Sequence, residues 1–310
     1  MILTITLNPS IDRRYIINGF EKGRIYRVNN FQYTPGGKGL NVTKVVESFK
    51  EPVMATGFLG GKSGEYIEES LDVVGIKQNF ISINEETRSC LAILSDDDSQ
   101  TEILEKGPLI SKEETLKFYD IYSHLIEKAE VICASGSLPE GMPAETYKHL
   151  IVMAKKQGKK FILDTSGEAL KQGIEAGPFL VKPNKEELEN LVGQPVTKEE
   201  EITNAAKILL GKGIKIVVVS LGKEGAIAFC GDHSYKIGVP EIKVVNPVGS
   251  GDSMIAGFAV SLLRDYNLES LLKMGAACGT ANAMEPETGK VNINNVKKIM
   301  DNIIINKKKI

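Results

Sequence analysis

The chain alternates short apolar, β-branched runs with longer segments whose apolar residues recur at helical spacing. The apolar runs occupy residues 2–7, 53–58, 131–136, 161–167, 179–184 and 216–222. Most have no polar face, which is typical of parallel strands that are buried on both sides. Because helical segments separate them, the pattern predicts an α/β protein with a mostly parallel sheet covered by helices on both faces.

Two helix starts are marked by Ser or Thr with Glu three residues later, the spacing of a capping box. These pairs are Ser111 with Glu114 and Thr197 with Glu200. We therefore expect a helix to begin at each of these sites. The closing NKKKI, in contrast, is expected to be a solvated tail.

Residues 13–34 and 88–104 break this rhythm, since polar and apolar residues alternate there as in antiparallel strands. The DDDS sequence within the second segment fits a hairpin turn. The two segments are either edge hairpins or a lid. We expect a small β lid at about 12–34 and 87–106, attached to a single domain that spans residues 1–310.

Composition narrows the classes of partner. Charged residues make up 25% of the chain, apolar residues 42%, and the net charge is −2, which favours small-molecule partners over nucleic acid or a membrane surface. The four cysteines form no C-x-x-C pair and the three histidines lack metal-ligand spacing, so zinc is not expected. The apolar start is too short for a signal peptide, and the chain is predicted to be cytoplasmic.

Polar, glycine-rich turns follow several predicted strands. In open parallel sheets ligands bind beyond the carboxyl ends of the strands. We therefore expect one crevice to be lined by Asp12, Ser137, Asn184, Glu187 and Asp252.

GGKGLNVTKV at 36–45 places glycines around Lys38, with Asn41 at the start of a helix. It is either a tight turn or a loop whose backbone approaches an anionic or hydroxylated ligand. GFLGGKS at 57–63 is too short for a phosphate-binding loop and is interpreted as a strand-to-helix connection.

NPVGSGDSMIAGF at 246–258 places Asp252 on the first turn of an apolar helix, after Gly249 and Gly251. The carboxylate could simply be a charge that complements the helix dipole. Beside converging backbone amides, it also has the position of a general base in phosphoryl transfer.

Four further residues have both a structural and a functional interpretation. Arg27 and Arg88 are either surface charges or, with Lys38, ligands of a phosphate group. Asn184 and Glu187 form a helix cap or face hydrated Mg²⁺, and the two roles are compatible.

These motifs together resemble the PfkB, or ribokinase-like, family of carbohydrate kinases over essentially the whole chain. GGKGLNVTK matches its N-terminal signature and NPVGSGDSMIAGF its C-terminal one, with Ser250 at the usual alanine position. TLNPSID, TRSCLAIL, SGSLPEG, KPNKEEL and SLGKEGA occur in the family's order. The resemblance implies a three-layer α/β/α fold with a β lid that often makes a homodimer contact, and ATP with Mg²⁺ as the phosphoryl donor.

The resemblance also implies roles for individual residues. Asp252 corresponds to the family's catalytic base. The backbone amides of Gly249, Ser250 and Gly251 correspond to its anion hole. The sugar phosphate is expected to contact Asp12, Arg27, Gly36, Gly37, Lys38, Asn41, Arg88 and Ser137. The nucleotide side is expected to contain Lys182, Asn184, Glu187, Ser220, Gly222, Gly225, Gly279 and Asn282, with Asn184 and Glu187 near Mg²⁺.

Within the family, QTEILEKGP, ASGSLPEG and ILDTSGEAL are most similar to the sugar-phosphate branch that acts on tagatose 6-phosphate. This implies phosphorylation of the C1 hydroxyl, with fructose 1-phosphate and fructose 6-phosphate as alternative acceptors. A monovalent-cation requirement, a non-catalytic sugar-phosphate sensor and a nucleoside kinase remain open alternatives at this point.

Overall fold

The computed structural model describes residues 1–96 and 99–310, which form a large sheet, a separate four-stranded sheet and the helices around them. The strands are β1 Ile2–Thr6, β2 Ser10–Ile16, β3 Phe31–Gly36, β4 Val53–Gly60, β5 Lys77–Gln78, β6 Ile81–Ile83, β7 Arg88–Leu94, β8 Gln100–Leu104, β9 Val131–Ser135, β10 Lys160–Asp164, β11 Leu180–Val181, β12 Ile216–Ser220, β13 Ala226–Cys230, β14 His233–Gly238 and β15 Ile304–Lys309. The helices are α1 Lys38–Ser48, α2 Gly61–Val73, α3 Lys112–Lys128, α4 Thr146–Lys156, α5 Gly167–Ile174, α6 Lys185–Val192, α7 Glu199–Gly211, α8 Ser250–Leu263, α9 Leu268–Asn282 and α10 Ile293–Asn302.

The large sheet has the order β15-β14-β13-β12-β11-β10-β9-β1-β4-β5, and β6 also pairs with β4. The pairs from β12 to β5 are parallel, whereas β13, β14 and β15 add antiparallel strands at one edge. The six apolar runs of the sequence correspond to β1, β4, β9, β10, β11 and β12. The predicted α/β class is therefore confirmed.

Helices cover both faces of this sheet. Leu3 and Ile5 of β1 pack into the layer that contains helices α3 to α7, while Ile2 packs into the layer of α1, α8, α9 and α10. Since successive side chains of a strand point to opposite faces, a strand between two helix layers is buried at every position, as all five residues of β1 are. Among the described residues, no helix is long and apolar enough to cross a membrane.

The smaller sheet, which we call the lid sheet, has the order β3-β2-β7-β8. Its outer pairs are antiparallel as expected, but the central pair of β2 and β7 is parallel, because the two hairpins lie side by side. Residues between β2 and β3 form no strand. Within the predicted DDDS turn, Asp97 and Asp98 lie outside the described residues.

Three local predictions can be compared with the structure. The capping box of Ser111 and Glu114 is present. The Thr197–Glu200 box is wrong by one residue: Glu201 accepts hydrogen bonds from the Thr197 and Lys198 amides, so the helix begins at Glu199.

The solvated C-terminal tail is also wrong, because Ile304–Lys309 forms β15 against β14. Main-chain hydrogen bonds of the ladder do not depend on side-chain type. Lysines on an edge strand can therefore remain solvated while the backbone pairs.

Candidate active site

A cleft of about 600 Å³ is lined by the lid sheet on one side and by the carboxyl ends of the parallel strands on the other. Residues at or just after the ends of β1, β9, β10, β11 and β12 all face it. These are Asn8, Ser137, Asp164, Lys182 and Ser220. The topology thus produces the crevice that the polar turns predict.

Most predicted site residues line this cleft. They are Asp12, Gly37, Lys38, Asn41, Arg88, Ser137, Lys182, Asn184, Glu187, Ser220, Gly249, Gly251 and Asp252. The structure does not bring the remaining seven to its wall: Arg27, Gly36, Ser250, Gly222, Gly225, Gly279 and Asn282.

Asp252 lies on the first turn of α8 and is buried, with 6% of its surface exposed. Asn41 Nδ2 donates a hydrogen bond of 2.9 Å to its Oδ2. Burial, followed by the nearby Asp164 carboxylate, raises the pKa of Asp252 to about 6, against the opposing effects of Lys38, Asn41 and Lys182. A carboxylate with this pKa is deprotonated at neutral pH and basic enough to accept a hydroxyl proton.

This pKa predicts the acid limb of the pH profile. We expect activity to be lost as the pH falls through about 6, because the raised pKa of Asp252 lets a proton bind at a higher pH than at an ordinary aspartate. Below that point kcat/KM should fall by about tenfold per pH unit. Initial rates between pH 4.5 and 8.5 test this, and an acid limb centred near pH 4 would contradict it.

The turn before α8 supplies backbone amides. Gly249 has φ +80° and ψ 0°, a left-handed conformation that favours glycine. The first amides of a helix have no intrahelical acceptor. The Ser250 amide donates to Pro247 O at 3.2 Å, whereas the Gly249 and Gly251 amides have no acceptor among the described residues and can bind a ligand. The Lys182 amine adjoins Gly251 and adds a positive charge, so this end of the cleft suits an anion.

Four predicted nucleotide-side residues do not line the cleft. Asn282 is fully buried, donates to Val248 O at 2.8 Å and accepts from the Ser253 hydroxyl at 3.0 Å. Gly279 allows α9 to approach the Ser250 carbonyl, since a Cβ would lie 3.0 Å from it. Gly222 is exposed, and Gly225 adjoins the strand β14 backbone.

Asp12 lies at the acceptor half of the cleft, on the lid sheet. The Ser10 hydroxyl donates to its carboxylate at 2.7 Å. Burial raises the pKa of Asp12, while Ser10 and the positive charges of Lys44 and Arg88 oppose this. Gly36 is outside the cleft wall but packs directly on this carboxylate.

Arginines line the same half of the cleft. Arg88 donates to Glu105 O at 2.8 Å and to Asn8 O at 3.1 Å, which holds the guanidinium in place, and its buried Nε has no partner among the described residues. Arg27 is exposed and lies outside the cleft, whereas Arg13 and Arg14 line it. The sequence could have indicated Arg14, because residues two apart on a strand share a face and Arg14 follows Asp12 by two residues on β2.

Asp164, at the end of β10, is the main site residue that sequence reasoning missed. It is 2% exposed and lies 3.8 Å from Lys38 Nζ and 3.4 Å from Lys182 Nζ. Its carboxylate raises the pKa of Lys38. Within the described part of the chain, neither carboxylate oxygen accepts a hydrogen bond. The signal was available, because a carboxylate ends the otherwise apolar strand FILD.

Asn184 and Glu187 form the predicted cap of α6. The Glu187 amide donates to Asn184 Oδ1 and the Asn184 amide donates to Glu187 Oε2, both at 2.8 Å. Both side chains also line the cleft. The cap is therefore real, and it orients a carboxylate toward the cleft.

Comparison with known proteins agrees with this geometry. The sequence matches the pfkB family carbohydrate kinase model over residues 5–294. The chain belongs to the PfkB family of carbohydrate kinases. A PfkB relative described as tagatose-6-phosphate kinase, from Staphylococcus epidermidis, is 44% identical over 306 residues, which cover 98% of each chain.

Solved PfkB structures are also similar. Phosphofructokinase-2 from Escherichia coli in complex with potassium has a TM-score of 0.90 and 29% identity, with 97% of this chain and 98% of that chain covered. A possible 1-phosphofructokinase from Thermotoga maritima has a TM-score of 0.91 and 26% identity, with 99% of each chain covered. The ribokinase-like fold and the predicted class, an ATP-dependent sugar-phosphate kinase of the PfkB family, are confirmed.

Proposed function

We propose that the enzyme transfers the γ-phosphoryl group of ATP to the C1 hydroxyl of D-tagatose 6-phosphate, which gives D-tagatose 1,6-bisphosphate and ADP. The observation that carries this proposal is one cleft that joins buried Asp252 and first-turn amides to an arginine-lined acceptor half. The tagatose-6-phosphate kinase with 44% identity supports this acceptor over fructose 1-phosphate or fructose 6-phosphate.

Asp252 is the proposed general base. Its carboxylate accepts the proton of the C1 hydroxyl as that oxygen forms a bond to the γ-phosphorus and the bond from phosphorus to the ADP oxygen breaks. The Asn41 amide holds the carboxylate at 2.9 Å and so orients the base. The Gly249 and Gly251 amides and the Lys182 ammonium stabilise the negative charge on the transferring group.

The acceptor half of the cleft suits a phosphorylated sugar. Arg88 and Arg14 each present a guanidinium, the side chain best suited to a phosphate group. Asp12, Ser137 and Asn8 supply acceptors and donors for sugar hydroxyls. We infer that the sugar phosphate binds the arginines and that its C1 hydroxyl reaches Asp252.

ATP and Mg²⁺ are the proposed donor pair. Mg²⁺ keeps several waters and needs only one or two carboxylates from the protein. Glu187 and Asp164 suit such an ion, because both line the cleft and the Asp164 oxygens accept no hydrogen bond from described residues. The bound ion would neutralise phosphate charge.

A homodimer through the lid is a further part of the proposal. The outer face of the lid sheet exposes Phe31, Tyr33 and Ile103, at 52%, 42% and 57%. An apolar face of this kind is stabilised when a second copy covers it.

A requirement for a monovalent cation and a cytoplasmic location stay predictions. The cation is supported by the potassium complex of the relative from E. coli.

Gly36→Ala is expected to weaken acceptor binding specifically. A Cβ at Gly36 would overlap the Asp12 carboxylate, which must then move. Loss of a hydrogen bond to a charged group raises the acceptor KM by roughly tenfold to a hundredfold. Steady-state kinetics with each substrate varied in turn test this. Gly211→Ala is the control, since a Cβ there meets nothing within 4 Å. An equal rise in the KM for ATP in Gly36→Ala would contradict a specific effect on acceptor binding.

An acceptor panel tests the proposed function. Purified protein is assayed with ATP, Mg²⁺ and tagatose 6-phosphate, fructose 6-phosphate or fructose 1-phosphate, and kcat/KM is compared. The highest value is expected for tagatose 6-phosphate. A higher value for a fructose phosphate would reassign the acceptor, and turnover of an unphosphorylated nucleoside would favour a nucleoside kinase. Binding without turnover for every acceptor would favour a sensor.

A further inference from the structure

The segment Pro286–Thr288 connects the lid sheet to the turn that begins α8. From the lid sheet, Arg14 Nη1 donates to Pro286 O at 2.7 Å. From the α8 side, Asn246 Nδ2 donates to Pro286 O at 3.2 Å and to the Thr288 hydroxyl at 3.3 Å. One short segment therefore contacts both walls of the cleft.

This segment also supports the anion-binding turn. The Thr288 methyl lies 2.6 Å from the position of a Cβ on Gly249. The Gly289 amide donates to Asn282 Oδ1 at 3.0 Å, and Asn282 in turn donates to Val248 O. A displacement of Thr288 would therefore be transmitted to the Gly249 backbone, because interiors packed this tightly transmit small shifts.

Lys44 of α1 is bonded to this segment and to the base of the lid sheet. Its Nζ donates to Pro35 O at 3.0 Å and to Thr288 O at 3.4 Å. Pro35 is the next-to-last residue of β3, where the lid sheet joins the GGKG loop. We call this junction at Pro35 the lid hinge. One amine thus links the lid hinge to the segment behind the anion-binding turn.

The surroundings of Lys44 argue against an ordinary surface lysine. Burial lowers the pKa of Lys44, although the carboxylates of Asp12, Asp252 and Glu287 face it and favour the charged form. The hydrogen bonds that hold the amine are those to the two main-chain carbonyls. Burial of a charge is costly, and the hydrogen bonds to the Pro35 and Thr288 carbonyls offset part of that cost while they hold the two segments to one amine.

We propose that Lys44 is a positioning residue that keeps the lid hinge and the anion-binding turn in register, so that lid closure and alignment of the phosphoryl group occur together. The proposal rests on the proposed roles of Asp252 and the turn. Without Lys44 the lid would close imperfectly over a misaligned turn. Water would then compete with the sugar hydroxyl for the γ-phosphoryl group.

The test uses the full-length enzyme and the ratio of ATP hydrolysis to sugar phosphorylation. For Lys44→Met we expect kcat to fall by at least about tenfold, as for a small misplacement of reacting groups. The ratio should rise in the same variant. Lys44→Arg, which keeps the charge and the donors, should recover most of the coupling. Lys155→Met is the control, because Lys155 Nζ also donates to two carbonyls, Ala176 O and Gly177 O, away from the cleft.

Both kcat and the ratio decide the outcome, and thermal unfolding checks that each variant is folded. A folded Lys44→Met enzyme with wild-type kcat and ratio would overturn the proposal, as would an equal rise of the ratio in Lys155→Met. If the methionine variant does not fold, Lys44→Gln, which retains uncharged donors, is measured with the same criteria. Wild-type turnover with the acceptor is the separate check on the proposed function.

Discussion

Asp252→Asn is expected to abolish nearly all turnover while ATP binding is retained. An amide cannot accept the proton of the C1 hydroxyl at neutral pH, and loss of a general base lowers kcat by about 10²- to 10⁴-fold. The substitution keeps the size of the side chain and its oxygen acceptor for the Asn41 amide. Single-turnover kinetics measure the loss, and calorimetry measures ATP affinity.

Asp252→Asn should not destabilise the fold. The pKa of Asp252 is raised to about 6, so ionisation of this group opposes folding as the pH rises from about 4 to 6. The uncharged asparagine removes that cost. The free energy of unfolding of the Asp252→Asn variant at pH 7 should therefore equal or exceed that of the wild type. Asp265→Asn is the control, because Asp265 is 98% exposed beyond the end of α8. Normal kcat in folded Asp252→Asn would remove Asp252 from the role of base.

Gly249→Ala is expected to lower kcat by about 10²- to 10³-fold, the usual effect of losing one anion-hole donor. Alanine disfavours a φ of +80°, and its Cβ would lie 2.6 Å from the Thr288 methyl and 3.2 Å from the Gly289 amide. The turn must therefore shift, and its amides with it. The KM for the sugar should change much less, because the acceptor half of the cleft is formed by other elements.

Gly158→Ala is the control that separates the effect of backbone strain from the loss of the anion-binding amides. Gly158 has φ +69°, but a Cβ there meets nothing within 4 Å, and it lies in the turn between α4 and β10. Both variants should lose stability, by roughly 1–2 kcal/mol from the left-handed conformation. Only Gly249→Ala should lose kcat. A similar kcat in the two variants would show that the turn does not act on the transferring group.

Local sequence determined the elements that depend on short-range physics. Buried parallel strands favour apolar residues on both faces, so β1, β4, β9, β10, β11 and β12 were visible as mostly apolar runs. The caps at Ser111 and Asn184 depend on groups three residues apart, and both are present. Asp252 was identified for the same reason, because its glycines and the helix after it are neighbours in sequence.

The tertiary structure decided what depends on contacts between distant segments. The parallel pairing of β2 with β7 and the pairing of the lysine-rich β15 arise from ladder hydrogen bonds that are independent of side-chain type. Asp164 ends an otherwise apolar strand in the sequence, but its position between Lys38 and Lys182 depends on the sheet order. Lys44 joins residues 35 and 288 through main-chain carbonyls, which every residue possesses, so no sequence pattern could reveal that contact.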